Sequence, residues 1–258
     1  MKLLSFHSLS LLLLLLVLSS CSDSKDSSTT GKPVKFHRFE QLIFGTPQRQ
    51  LHDALVRDSA IYNSPLLNCQ PDDPEYIAYL GGFARDPYMR YIYRKTDSLY
   101  HDLSWLERDL GAALAKAHEL CPDIYYNRYY TLVTADFEMG YDTRIFCYDR
   151  DFAISIDHYA LPAMKDHNYF MTPAYIVAQC TREHILPDCM SAVAMDHITL
   201  PEGDLSFLDH AIYRGKILYF LDQVLPDVPK YIKIRYTPEQ LSWMKKNIKN
   251  VWGYLIQK

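Results

Sequence analysis

The sequence lacks the short motifs that would identify a common enzyme or a nucleic-acid-binding protein. It has 9 glycines in 258 residues, and they form no Gly-rich phosphate loop. There is no Ser-His-Asp spacing and no nucleophile elbow. The net charge is -4 and no basic stripe or cluster occurs, so the composition gives no reason to expect a nucleic acid partner. A nucleotide-binding loop and a serine-hydrolase site are therefore not indicated.

A disulfide framework is also missing from the sequence. The cysteines are Cys21, Cys69, Cys121, Cys147, Cys180 and Cys189. Their spacing is irregular, and their number becomes odd if the first one is modified. We expect the other five to be small apolar residues of the interior rather than a redox or zinc site, and the sequence leaves their pairing open.

The one long apolar run lies at the N-terminus, where Lys2 precedes LSLLLLLLVL at residues 9–18. This run is too short to span a bilayer as a mature helix and is typical of a signal peptide. Ser19-Ser20-Cys21 follows it and resembles the lipobox of bacterial lipoproteins. The resemblance implies cleavage before Cys21 and a covalent lipid, such as palmitate, on its thiol, with no other cofactor. The alternative is an ordinary secretory peptide with an incidental cysteine.

Three segments follow from this reading of the N-terminus. Residues 1–20 are a lipoprotein signal peptide, residues 21–33 are a flexible tether without a folding core, and residues 34–258 are one globular domain. Ser22 and Asp23 look like the export signals of Bacteroidota lipoproteins. The expected location is the cell outer membrane, held by the lipid anchor, with the periplasmic or surface face left open.

The globular part is predicted to be α+β and mostly α, with a small mixed sheet packed against helices. An extended segment is expected at 34–44. Helices are expected at 46–63, from Pro87, and from Ser104, where Glu107 completes a capping box. The predicted strands are 128–137, 143–149 and 151–160, and the last two form a hairpin.

Three helices are predicted after the sheet. The first begins at Thr172-Pro173 and runs through residue 190. The second spans 204–225, and its expected buried face consists of Leu208, Ile212, Gly215, Leu218 and Tyr219. The third begins with Thr237 as cap, Pro238 as first residue and Gln240 closing a capping box. Its expected apolar stripe consists of Leu241, Met244, Ile248, Val251, Trp252 and Leu255.

The segment CTREHILPDCM at 180–190 nearly contains a zinc motif. In a helical His-Glu-x-x-His, two imidazoles bind zinc and the glutamate is the general base. Here Glu183 is present, but Arg182 and Leu186 occupy the two histidine positions. An arginine is a cation without a lone pair to offer, and a leucine has no ligand atom at all.

The C-terminal third resembles the gliding-motility lipoprotein GldB family of Bacteroidota. The residues that carry this resemblance are Tyr213, Gly215-Lys216, Leu218-Tyr219, Leu225-Pro226-Asp227, Tyr236-Thr237, Glu239-Gln240, Trp243 and Trp252, and REHILPDCM at 182–190 also fits. The resemblance is clear over about the last 80 residues. It implies a lipid-anchored cell-envelope protein with a zincin-like arrangement, in which a following helix supplies a third ligand.

That third ligand position, aligned on Gly215, is Arg214. All three ligand positions of a zincin are thus occupied by residues that do not bind zinc, so no metal is predicted there. Arg182 and Arg214 could pair with Glu183, bind an anionic group such as a peptide C-terminus, or lie on solvated faces.

His184 and Asp188 lie four residues apart and could share a helix face. Pro187 between them removes one helical hydrogen bond and predicts a kink. Structural hydrogen bonds are favoured over a metal or binding role for this pair. The predicted binding or ion-pair cluster consists of Arg182, Glu183, His184, Asp188, Arg214 and Lys216.

Three functional hypotheses follow, and the sequence favours the first. It is a non-catalytic envelope lipoprotein that binds partners or acts as a scaffold in a gliding- or secretion-type apparatus. The second is a zinc metallopeptidase with unconventional ligands chosen from His158, His167, His184 and His210. The third is a peptide or small-molecule binder that uses the cleft between the helices at 172–195 and 204–225.

Overall fold

The computed structural model describes residues 31–137, 144–164 and 172–256. The predicted signal peptide, Cys21, most of the predicted tether and His167 lie outside the described residues. The strands are β1 (Phe36–Arg38), β2 (Arg128–Leu132), β3 (Ile145–Tyr148) and β4 (Asp151–Ser155). The helices before the hairpin are α1 (Phe39–Gly45), α2 (Gln48–Arg57), α3 (Ser59–Tyr62), α4 (Pro74–Arg85), α5 (Pro87–Tyr100) and α6 (Ser104–Leu120). The elements after it are a 3-10 helix (Ile156–Ala163), α7 (Ala174–Val177), α8 (Arg182–His197), α9 (Phe207–Val224), α10 (Lys230–Lys233) and α11 (Pro238–Ile256).

The four strands form one mixed sheet in the order β1-β2-β4-β3. β2 is parallel to both β1 and β4, whereas β3 and β4 are antiparallel. The predicted hairpin is therefore confirmed, with Phe146 opposite Ala153. The α+β, mostly α class is confirmed as well.

The core lies where helices cover the centre of the sheet. All five residues of β4 are buried, because the strand lies between β2 and β3 and is covered on its faces. Tyr130 of β2 and Phe152 of β4 are completely buried. Two sides of α8 meet this core, since α8 packs against both β3 and α6.

Two predictions for the N-terminal part are wrong. The expected extended segment 34–44 is a strand of three residues followed by α1, because Phe39, Leu42 and Ile43 recur at a helical interval. The expected capping box at the start of α6 is absent, since Leu103 is the cap residue and no side chain caps it. Glu107 instead accepts a hydrogen bond from the backbone N–H of Phe36 at 2.9 Å.

The predicted single helix from Thr172 through residue 190 is two helices. α7 ends at Val177, and α8 begins at Arg182 after an extended Thr181. Pro187 lies inside α8, which is continuous through it.

The buried face predicted for α9 is also wrong. Leu208, Ile212 and Tyr219 are 56%, 50% and 68% exposed. The residues of α9 that are buried are Ile217, Leu221 and Val224. The large apolar side chains of this helix lie on more than one face, so their spacing does not distinguish the face that packs.

The start of α11 agrees with its prediction. Thr237 Oγ1 accepts from the N–H of Gln240 at 3.1 Å, and the N–H of Thr237 donates to Gln240 Oε1 at 2.8 Å. Both bonds are those of a capping box. Within the described residues, no helix has the length and apolar character needed to cross a membrane.

Candidate functional site

The carboxylate of Asp188, on α8, joins four parts of the fold. Arg144, just before β3, donates from Nη1 to Asp188 Oδ2 at 3.2 Å. Tyr159, in the 3-10 helix, donates its hydroxyl to the same oxygen at 2.7 Å. Arg235, between α10 and α11, donates from Nη2 to Asp188 Oδ1. We name Asp188, Arg144, Tyr159 and Arg235 the Asp188 cluster.

Low exposure shields the ion pair of Arg144 and Asp188 from solvent. The side chain of Arg144 is 2% exposed and that of Asp188 is 10% exposed. Burial and then the charge of Asp188 raise the pKa of Tyr159 well above its ordinary value, so the phenol keeps its proton and acts as a donor. Three donors occupy the two oxygens of Asp188. The carboxylate could act as a base or a metal ligand only if this arrangement were broken.

His184 lies one turn before Asp188 and is buried. Its Nδ1 is 2.8 Å from Thr181 Oγ1, just before the start of α8. Burial is the main cause that lowers the pKa of His184, and the positive charge of Arg235 lowers it further. The imidazole is therefore held neutral, and its contact with Thr181 ties the first turn of α8 to the preceding extended residue.

Arg182 and Glu183 are both exposed. The guanidinium carbon of Arg182 lies 4.2 Å from the centroid of the Trp105 ring on α6, a distance typical of a cation–π contact. Across the described ranges, no ion pair joins Glu183 to either Arg182 or Arg214. Arg182 thus packs on an aromatic ring, and in the described chain the ion pair with Glu183, one of the three alternatives, is not formed.

Arg214 lies on α9 at the edge of a cavity of about 1040 Å³. Its Nη1 is 3.9 Å from Met195 Sδ. Asp188 also lines the cavity, whereas Arg182 and Lys216 do not. The structure therefore brings two of the predicted cluster residues to one cavity and leaves the two arginines in different surroundings.

The cavity lies between α8, α9 and α11, where the cleft between the first two C-terminal helices was expected. Much of its wall is apolar, formed by side chains of these three helices. They include Met195, Ile217, Leu218, Leu241, Met244 and Ile248. The apolar stripe predicted for α11 thus turns its first half toward the cavity, while Trp252 and Leu255 farther along the stripe are partly exposed.

The residues present do not fit the zinc ion of a zincin. The positions that would bind it hold an arginine stacked on Trp105, the side chain of Leu186, and the Arg214 guanidinium. Among residues 31–137, 144–164 and 172–256, no three His, Cys, Asp or Glu side chains lie close enough together to hold a metal ion. Of the histidines proposed as unconventional ligands, His158 and His184 are buried and His210 is exposed.

Three residues of the Asp188 cluster were not identified from the sequence. Arg144 lies in an apolar β-rich segment, and a cation in such a segment is a signal of a buried ion pair. Tyr159 and Arg235 give no comparable local signal. Tyr159 lies 29 residues and Arg235 lies 47 residues from Asp188 in the sequence, so only the fold brings them together.

The cysteines around the site are thiols without an activated environment. All five cysteines of the described chain are free. Burial raises the pKa of Cys180 and, well above its ordinary value, that of Cys189. Both thiols therefore stay protonated, as expected for small apolar residues of the interior.

A comparison with protein families finds a match that covers nearly the whole chain. The family described as gliding motility protein GldB matches residues 20–258. The match extends well beyond the C-terminal third in which the resemblance is clear from individual residues. No curated protein and no solved structure matches the chain.

Proposed function

The chain belongs to the gliding motility protein GldB family, and from that premise we propose that it is a non-catalytic envelope lipoprotein that binds protein partners. We propose further that lipid on Cys21 anchors it in the outer membrane, after removal of the signal peptide. Its place would be in a gliding- or secretion-type apparatus, where the zincin-like domain acts as a scaffold.

The proposal that the chain is non-catalytic rests on the side chains at the expected zinc-ligand positions. Arg182, Leu186 and Arg214 offer no lone pair to a metal ion, and Arg182 packs on the Trp105 ring. The nearby carboxylate that could serve as a base, Asp188, is neutralised by two guanidinium groups and a phenol. This arrangement supports a stable structural element in place of a hydrolytic site.

Exposed aromatic and aliphatic side chains on α9 and α11 support the partner-binding part. Tyr and Trp are common at interface hot spots. The large apolar side chains of these two helices that are at least 46% exposed are Phe207, Leu208, Ile212, Tyr219, Trp243, Trp252 and Tyr254. We name these seven the exposed apolar set.

Crosslinking in native membranes, followed by purification of the tagged full chain, tests partner binding. We expect Tyr219→Ala to reduce recovery of a crosslinked envelope protein at least fivefold. Tyr79→Ala on α4 is the matched control, because Tyr79 is 66% exposed and Tyr219 is 68% exposed. Equal recovery from both variants would count against α9 as the binding surface.

Elemental analysis separates this proposal from a zinc peptidase with unconventional ligands. We expect the chain purified from its membrane to contain zinc far below one equivalent, with no change for His184→Ala. Stoichiometric zinc that is lost in His184→Ala would overturn the non-catalytic proposal.

The lipid anchor has its own test. Wild-type chain should incorporate labelled palmitate, and the Cys21→Ala chain should not. Continued labelling of Cys21→Ala would contradict this residue as the attachment site.

A further inference from the structure

The cavity between α8, α9 and α11 has the size and the walls of a small-molecule site. Its volume of about 1040 Å³ is at the upper end of the range for ligand pockets, roughly 300–1,000 Å³. Aliphatic and methionine side chains from three different helices line it, and Met195 and Met244 face it from opposite helices. Methionine adapts to irregular apolar ligands because its side chain is unbranched and flexible.

Of the four cations that line the cavity, two are in ion pairs with carboxylates and two are not. Lys233 forms an ion pair with Asp222 at 2.6 Å, and Arg235 is bound to Asp188. Arg214 and Lys245 also line the cavity, and both are exposed. In the part of the chain that the structure describes, neither of these two has a carboxylate within ion-pair distance.

No negative charge in the cavity is available to a cationic ligand. Asp188 is the one acidic side chain among the described lining residues, and three donors already hold it. The exposed edge of the cavity thus favours an anion, while the walls favour an apolar chain.

The backbone around the cavity is poorly suited to a peptide. Most lining residues belong to helices, whose N–H and C=O groups are paired internally. In the turn before α11, the N–H groups of Ile234, Arg235, Tyr236 and Thr237 donate to Lys230 O, Ile232 O, Tyr231 O and Gln240 Oε1. A bound peptide would bury its own polar backbone against these saturated groups, which is unfavourable. An acyl chain has no such groups to satisfy.

We propose that this cavity binds a single-chain amphiphile with one anionic head group. The acyl chain lies against α8, α9 and α11, and the head group lies between Arg214 and Lys245. A long-chain carboxylate and a monoacyl phosphate share this chemistry. The inference does not rest on the proposed function, because none of the seven residues of the exposed apolar set lines the cavity.

The test uses the membrane-anchored full chain and a photoreactive dodecanoate. Labelled peptides should map to α8, α9 and α11, with labels near Met195 and Met244. Unlabelled dodecanoate, dodecyl phosphate or both should displace the probe, which identifies the head group that the site accepts. Dodecanol should compete at least tenfold more weakly, since it lacks the charge that pairs with the two cations.

Matched variants separate the cavity from nonspecific partition into the membrane. Arg214→Glu and Lys245→Glu should each raise the concentration needed for half-maximal labelling by about fivefold, as an ion pair at an exposed site contributes modestly. Met244→Trp should place a bulky ring in the path of the acyl chain and reduce labelling at least tenfold. Lys246→Glu adds the same charge on the next residue of α11, does not line the cavity, and should leave labelling unchanged.

Four outcomes would overturn the proposal. The first is competition by dodecanol that equals that of dodecanoate, and the second is an equal effect of Lys245→Glu and Lys246→Glu on labelling. The third is labelling that survives Met244→Trp in a variant that still unfolds cooperatively. The fourth is stronger competition by an apolar hexapeptide with a free carboxylate. The last result would assign the cavity to a peptide C-terminus. Loss of crosslinked partners in Tyr219→Ala with normal labelling would show that the two proposals succeed or fail separately.

Discussion

The Asp188 cluster and the edge of the neighbouring cavity both contain two cations, which are paired with a carboxylate in the cluster and unpaired at the edge. In the cluster, the positive charges of Arg144 and Arg235 face the carboxylate of Asp188, whose side chain is 10% exposed. At the edge of the cavity, Arg214 and Lys245 face solvent and no carboxylate of the described chain. We therefore assign a structural role to the paired charges and, in line with the proposed amphiphile site, a binding role to the two unpaired ones.

Asp188→Asn should produce the largest effect on stability. The amide keeps the shape but removes the negative charge, which leaves the buried Arg144 guanidinium without a counter-ion. We expect the free energy of unfolding to fall by about 3–5 kcal/mol, as measured by urea denaturation. Asp109→Asn is the control, because the side chains of Arg108 and Asp109 are 65% and 45% exposed and the loss of their ion pair should cost no more than about 1 kcal/mol.

A similarly small loss of unfolding free energy in both variants would show that the Asp188 cluster has the energetics of a surface ion pair. The contrast with the edge of the cavity would then not hold.

The pH dependence of the unfolding free energy should reveal the buried carboxyl group of Asp157. Burial raises the pKa of Asp157 to about 7 from its ordinary 3.8. Between these pH values the folded chain keeps a proton that the unfolded chain releases. Asp157 therefore makes stability fall as pH rises, by about 1.4 kcal/mol per pH unit. Asp157→Asn should remove this contribution, so that the slope of unfolding free energy against pH becomes more positive by that amount at pH 5.

The adjacent His158 should act in the opposite direction. Burial lowers its pKa to about 3 from 6.5, so that between these values the unfolded chain binds a proton that the folded chain does not. Its contribution to stability is lost as pH falls through this window. His158→Gln should therefore make the slope at pH 5 less positive, by about 1.4 kcal/mol per pH unit. Slopes that shift in the same direction in both variants would contradict these assignments.

Arg214→Glu should have the smallest effect on stability. The side chain is exposed, and its one hydrogen-bond contact in the described chain is a weak one to the Met195 sulfur. We expect a change within about 0.5 kcal/mol, measured under the same denaturant conditions as Asp188→Asn. A loss comparable to that of Asp188→Asn would place Arg214 among the structural charges and remove the contrast between the two regions.

Local signals in the sequence predicted the elements whose stability is local. The capping box of Thr237 and Gln240 is formed within one turn, and the β3–β4 hairpin joins strands separated by two residues. Both could be predicted because the interacting residues are close in sequence.

Features that depend on distant parts of the chain could not be predicted in the same way. The buried face of α9 was assigned incorrectly because several faces of this helix carry large apolar side chains. The partners of Asp188 come from segments 29 to 47 residues away. The sequence also left open where Arg182 and Arg214 lie, because the ring that Arg182 contacts, Trp105 on α6, belongs to a distant part of the chain.

Nuclear magnetic resonance of arginine side chains tests the contrast between the two regions most directly. The full chain, labelled with nitrogen-15 and held in nanodiscs, would be titrated with dodecanoate while the Nε–Hε signals are followed. We expect a saturable shift of the Arg214 signal and an unchanged Arg144 signal. A shift of Arg144, or a constant Arg214 signal at concentrations that saturate the photoreactive probe, would contradict this expectation.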